Sequence, residues 1–186
     1  MGKSWSGIKK RLETDLICDS LRGRVKYFIT KYKNSHDESG RITIIVDGKE
    51  VIQGDIFRYY KGLREIELKY KSELNIIPRF YNGKNMENDF ENRQAEDYIE
   101  EIRLNQGIFD VWQFTDAVNK FLSMNIELSL YSSNPLIRLL AIMDRRVGKR
   151  TLKKIMISIS DEPIWLQYFY NLRLKAEGLI EFKKVF

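Results

Sequence analysis

The chain has 186 residues, 43% of them hydrophobic, and its 32 Lys and Arg against 26 Asp and Glu leave a formal net charge of +6, the composition of an ordinary globular protein rather than a disordered or fibrous one. One cysteine, Cys18, and one histidine, His36, exclude an internal disulfide, a cysteine-based zinc or iron–sulfur site and a multi-histidine metal centre. No apolar run approaches the roughly 20 residues that span a bilayer, and MGKSWSGIKK lacks the apolar middle of a signal peptide, so the expected location is the cytoplasm, with no membrane partner.

The first segment reads as a helix. Ser4 is its cap, and Trp5, Ile8, Leu12 and Leu16 recur every three or four residues on one face. Gly23 is its expected left-handed end, after Leu21 and Arg22. From Arg24 the period changes to two. Val25, Tyr27 and Ile29 alternate with Lys26, Phe28 and Thr30, which predicts a strand running to Tyr32. Residues 34–40 are dense in turn formers, and Arg41 to Val46 predicts a second strand. Asp47-Gly48 is the strongest short hairpin signal in the chain. A two-residue turn there pairs Val46 with Lys49 and Ile44 with Val51, and a third short strand runs through Glu50 to Gln53.

Asp55 is placed to cap a second helix reaching about Glu73, with Ile56, Tyr59, Tyr60, Leu63, Ile66 and Tyr70 as its apolar stripe. The stretch from Asn75 to Asn88, with Pro78, Gly83 and several asparagines, reads as a linker. Helical patterns follow over 90–104 and 108–123. Asn134-Pro135 is the cleanest helix start in the chain, cap and first turn together, ahead of Leu136, Leu139, Leu140, Met143 and Val147. Gly148 interrupts, and Thr151 to Ile157 predicts a short helix. The last helix is expected to be capped by Ser160 or Asp161, with Pro163 in its first turn, a core face of Trp165, Tyr168, Phe169 and Leu172, and a stop at Gly178.

Charge is patterned along the chain. Residues 1–35 carry nine bases and three acids, residues 84–105 three bases and seven acids, and residues 138–154 seven bases and one acid. The densest group is Arg145, Arg146, Lys149, Arg150, Lys153 and Lys154, around a predicted helix–turn–helix joint. Such a group can neutralise several phosphates, each contact adding salt-dependent affinity. The competing reading is a solvated helix face paired with the acidic 87–101 segment. Under the anion-binding reading, replacing Arg146 and Lys149 together is expected to lower the salt slope by up to about two, with little change in stability.

Other motifs fall short. Val147-Gly148-Lys149-Arg150-Thr151 has Met143 where a phosphate-binding loop needs glycine, and Arg150 where it needs Ser or Thr. Aromatic and basic residues interleave at 26–33, 57–61 and 69–71, but rings also favour strands and cores, and lysine stems pass over them. His36, Asp37 and Glu38 are metal-ligand types, yet adjacent loop residues rarely converge on one ion. Glu96, Asp97, Glu100 and Glu101 read as an acidic helix face. Cys18 reads as a small packing residue.

Three stretches carry a family likeness. Trp5-Ser6 through Val25, Asn134 through Leu152, and Trp165 through Gly178 resemble the signatures of an uncharacterised bacterial family of small basic proteins. That family has no assigned activity, so the resemblance implies no catalytic residues.

The expected architecture is α+β: an N-terminal helix and a three-stranded antiparallel sheet with a covering helix, then a mostly helical C-terminal half. Residues 1–186 form one domain, with an α/β lobe over 1–75, a linker near 76–88 and a helical lobe over 89–186. The leading functional expectation is a non-enzymatic binding protein whose basic faces meet an anionic protein surface or nucleic acid. The alternatives are an immunity or regulatory partner of another protein, and a carboxylate-dependent enzyme. No metal or cofactor is expected.

Overall fold

The computed structural model describes residues 4–31, 40–62, 66 and 90–180. The expected linker, the far part of the second helix and the His36 loop lie outside these residues.

Ser4 caps α1 (Trp5–Lys10) by accepting the Gly7 N–H. The helix then widens into a π-helical turn, Arg11–Leu16, instead of running on to Gly23. Ile17 is extended and bridges to Asp144. The Cys18 N–H donates to the Met143 carbonyl at 2.9 Å, and the Arg145 N–H donates to the Leu16 carbonyl at 2.7 Å. These inter-segment bonds replace the i to i+4 bonds that a continuous helix would have made, and Ile17 and Cys18 are buried in the process. A 3-10 turn, Asp19–Leu21, follows, and Gly23 takes its positive φ of 78° after it.

β1 (Val25–Lys31), β2 (Gly40–Val46) and β3 (Lys49–Asp55) form an antiparallel sheet in that order. Val25 and Tyr27 face the core, while Lys26 and Phe28 face out. Asp47 and Gly48 both adopt positive φ, 50° and 79°, and Val46 pairs with Lys49. This is the two-residue turn that the sequence predicts. Beyond it the register departs from expectation: Ile45 opposes Glu50 and Ile44 opposes Ile52, so a bulge leaves Val51 as the extra residue. Gly54 sits against Phe109, where a Cβ would come within 2.6 Å of the ring.

Residues 56–62 are helical (α2), with the Asp55 carboxylate accepting the Arg58 N–H. The rest is helical: α3 (Phe90–Asn105), α4 (Val111–Ser123), α5 (Ile126–Leu130), α6 (Pro135–Met143), α7 (Lys149–Ile155), a 3-10 stretch (Met156–Asp161) and α8 (Ile164–Ala176). Asn134 caps α6 with Pro135 in the first turn, and eight of its nine residues are buried, all but Arg138. α7 begins at Lys149 rather than Thr151, because Gly148 is its N-cap and not an interruption. α8 starts at Ile164 behind Pro163, and neither Ser160 nor Asp161 caps it, because both belong to the preceding 3-10 stretch. Its core side carries Leu166, Phe169, Tyr170 and Leu174, while Trp165 and Leu172 are partly buried and Tyr168 is exposed. One buried cluster runs from Tyr27 and Ile44 of the sheet through Phe109, Phe114 and Phe121 to Leu136, Leu140, Leu152 and Phe169.

Candidate basic face

All six basic side chains that stand out in the sequence are exposed, on the α6–α7 turn and on α7. Leu152 and Ile155 point inward and fasten α7 to the core. None of the six pairs with α3 among the described residues. They separate into two groups.

Arg146 and Lys149 are engaged. Asp144, whose side chain is fully buried, accepts the Arg146 backbone N–H at 2.8 Å, Nε at 3.0 Å and Nη2 at 2.8 Å. This hydrogen-bonded carboxylate raises the Arg146 pKa further above its ordinary value, against the opposing effect of burial. The guanidinium also lies over the Phe121 ring, 5.7 Å from its centroid. Lys149 donates to the Glu177 carbonyl at 3.0 Å and stands 3.8 Å from the Glu177 carboxylate. That carboxylate also accepts the Ser20 hydroxyl at 2.7 Å and lies 3.4 Å from the buried Arg173, whose Nη2 donates to the Val147 carbonyl. Arg146 and Lys149 thus tie the α6–α7 turn to the N-terminal segment and to the end of α8. Arg138, the first base of the same block, does similar work: it pairs with Glu162 at 2.8 Å and donates to the Ser132 and Ser133 carbonyls.

Arg145, Arg150, Lys153 and Lys154 have no carboxylate partner among the described residues. Their mounting is rigid: the Arg145 backbone is bonded to Leu16, and α7 is anchored by Leu152 and Ile155. Arg150, Lys153 and Lys154 are thus exposed cations on an anchored helix, and Arg145 is a fourth on the turn before it.

A second polar constellation brings together residues distant in the chain. Asp55 and Asp110, both buried, cap α2 and α4. Burial, more than the nearby Asp55 charge, raises the Asp110 pKa, against the opposing hydrogen bond from the Val111 N–H. Gln113 completes the capping box of α4 and donates to Glu100 at 2.8 Å. Arg103, only 4% exposed, donates to the Tyr59 hydroxyl at 2.9 Å and lies 4.0 Å from the centre of its ring. Asp110 with Gln113 three residues on was a readable capping box; its meeting with Asp55 was not, because 55 residues of chain separate them. Both carboxylates are committed to helix ends, which accounts for them structurally. Among the described residues no group of three or more His, Cys, Asp and Glu converges as a metal site, and no helix is long and apolar enough to cross a membrane.

The α+β fold and this basic face describe a protein with an exposed cationic surface on a helical frame. Residues 4–174 match the model of the SF0329 protein family, and the chain belongs to that family. No curated protein and no solved structure matched it.

Proposed function

We propose that this protein is a non-enzymatic binding protein whose α7 face meets an anionic partner. The observation that carries the reading is the set of four exposed bases, Arg145, Arg150, Lys153 and Lys154, with no carboxylate partner among the described residues. A face kept only for solubility would intersperse acids among its bases; here the one acid of the block, Asp144, is buried beneath Arg146. Arg146 and Lys149 act as the frame of the face, and the four unpaired bases are the groups that meet the partner.

The test is a binding titration at several salt concentrations, with a mixed-sequence duplex oligonucleotide and with polyglutamate as probes. Wild type binds at low salt and weakens steeply as salt rises. The triple variant Arg150→Gln, Lys153→Gln, Lys154→Gln lowers the salt slope on the duplex by up to about three, roughly 0.9 for each phosphate that is no longer neutralised. Its unfolding temperature stays close to that of wild type, since unpaired surface charges contribute little to stability. Wild type that binds neither polyanion at low salt refutes the reading.

A further inference from the structure

We infer that the partner of the α7 face is an acidic protein surface with an apolar recess, and that Ile157 is the side chain that enters it. The inference rests on the binding reading above and narrows it. Arg150, Lys153, Lys154 and Ile157 fall at positions i, i+3, i+4 and i+7, the spacing of one helical face. α7 ends at Ile155 and passes directly into the 3-10 stretch Met156–Asp161, with Met156 keeping right-handed helical angles, φ −56° and ψ −29°, so Ile157 stands about one turn beyond Lys153 and Lys154. All three bases are exposed, and Ile157 is 85% exposed. Met156 beside it is 41% exposed, while Ile159 is buried and holds the 3-10 stretch in place. The stripe is therefore three cations ending in a protruding aliphatic side chain on an anchored support.

That combination selects among anions. A phosphate backbone meets cations and polar groups, and bases stack on rings; the stripe has no ring, and of the hydroxyls beside it Thr151 is half-buried and Ser158 donates to the Ile155 carbonyl. An anionic bilayer holds a protein through four to eight bases together with a broad apolar face; here the apolar part is one isoleucine and half of one methionine. A protein interface pairs an apolar centre, in which methionine and arginine are enriched, with a charged rim. The positive rim of Arg150, Lys153 and Lys154 requires the complementary rim to be acidic.

The experiment titrates the full chain at moderate salt with four probes: polyglutamate, a peptide with the same number of glutamates and an added leucine cluster, a mixed-sequence duplex, and phosphatidylcholine–phosphatidylglycerol vesicles. The leucine-bearing peptide is expected to bind about tenfold or more tighter than polyglutamate, the value of burying one large aliphatic side chain. Ile157→Ser removes that preference and leaves polyglutamate binding unchanged, whereas Lys153→Gln with Lys154→Gln weakens both. Both variants unfold at the wild-type temperature, because the substituted side chains are exposed. Equal binding of the two peptides, or an Ile157→Ser variant that keeps the preference, overturns the inference. So does tighter binding of duplex or vesicles than of the leucine-bearing peptide. In these cases salt-sensitive binding persists and the broader reading stands; loss of all salt-sensitive binding removes both.

Discussion

Asp110 shows how one carboxylate is held by opposing effects. Its N–H acceptor role at the start of α4 stabilises the helix, while burial and the Asp55 charge disfavour ionisation and raise its pKa. A carboxyl whose pKa is raised on folding contributes most in acid, below its unfolded pKa, and that contribution is lost as pH rises through the folded value. Asp110→Asn keeps the cap without the charge, so urea unfolding should show the variant gaining stability relative to wild type as pH is raised from acid to neutral. Asp110→Ala removes the cap and should cost about 1 kcal/mol at neutral pH. Arg146 behaves oppositely to a free surface base. Its loss leaves the buried Asp144 carboxylate with the backbone N–H alone, so Arg146→Ala should destabilise by about 1–3 kcal/mol in the same assay, with the half-exposed guanidinium keeping the figure below that of a fully buried pair. Arg145→Ala should change stability by less than about 0.5 kcal/mol. The two arginines are adjacent and alike in the sequence; only the position of a buried acid separates their roles.

Elements with strong local signals formed where the sequence placed them. The β2–β3 turn has Gly48 at φ 79° with open space around its Cβ position, so Gly48→Val should cost more than about 1 kcal/mol from backbone strain alone, read by chemical denaturation. In α6, Leu140 is buried within the one core cluster, and Leu140→Ala should cost about 2–5 kcal/mol in the same measurement. Other elements departed from expectation. The first helix keeps its apolar stripe of Trp5, Ile8, Leu12 and Leu16 but breaks at Ile17, because its neighbours Leu16 and Cys18 bond to the turn around Asp144, and Ile17 bridges to Asp144 127 residues on. The β2–β3 ladder keeps its turn but shifts register at Ile44, a bulge that no alternation pattern announces. In α8, Arg173 is only 3% exposed on a face that periodicity assigned to apolar residues, held by the Val147 carbonyl and Glu177.

At the scale of the whole molecule, one core joins the sheet to the helices, and the polar links around it decide which charges remain available. Local chemistry alone determined the α+β class, the Asp47-Gly48 hairpin, the Asn134-Pro135 helix start, the density of bases over 145–154 and the absence of thiol- or histidine-rich metal centres. Each of these depends on residues within a few positions of one another, or on composition, which the chain states directly. Tertiary structure decided the rest. The chain's fold buried Asp144 beneath Arg146, brought Glu177 to Lys149 and left Arg145, Arg150, Lys153 and Lys154 without carboxylates among the described residues. It set Asp55 beside Asp110, and it left Ile157 protruding in line with three cations while Ile155 and Ile159 turned inward. The physical reason is range: a cap, a turn or a period is a contact along the backbone, whereas pairing and exposure depend on which distant surfaces meet, and helical spacing places a side chain on a face without saying what will lie against it.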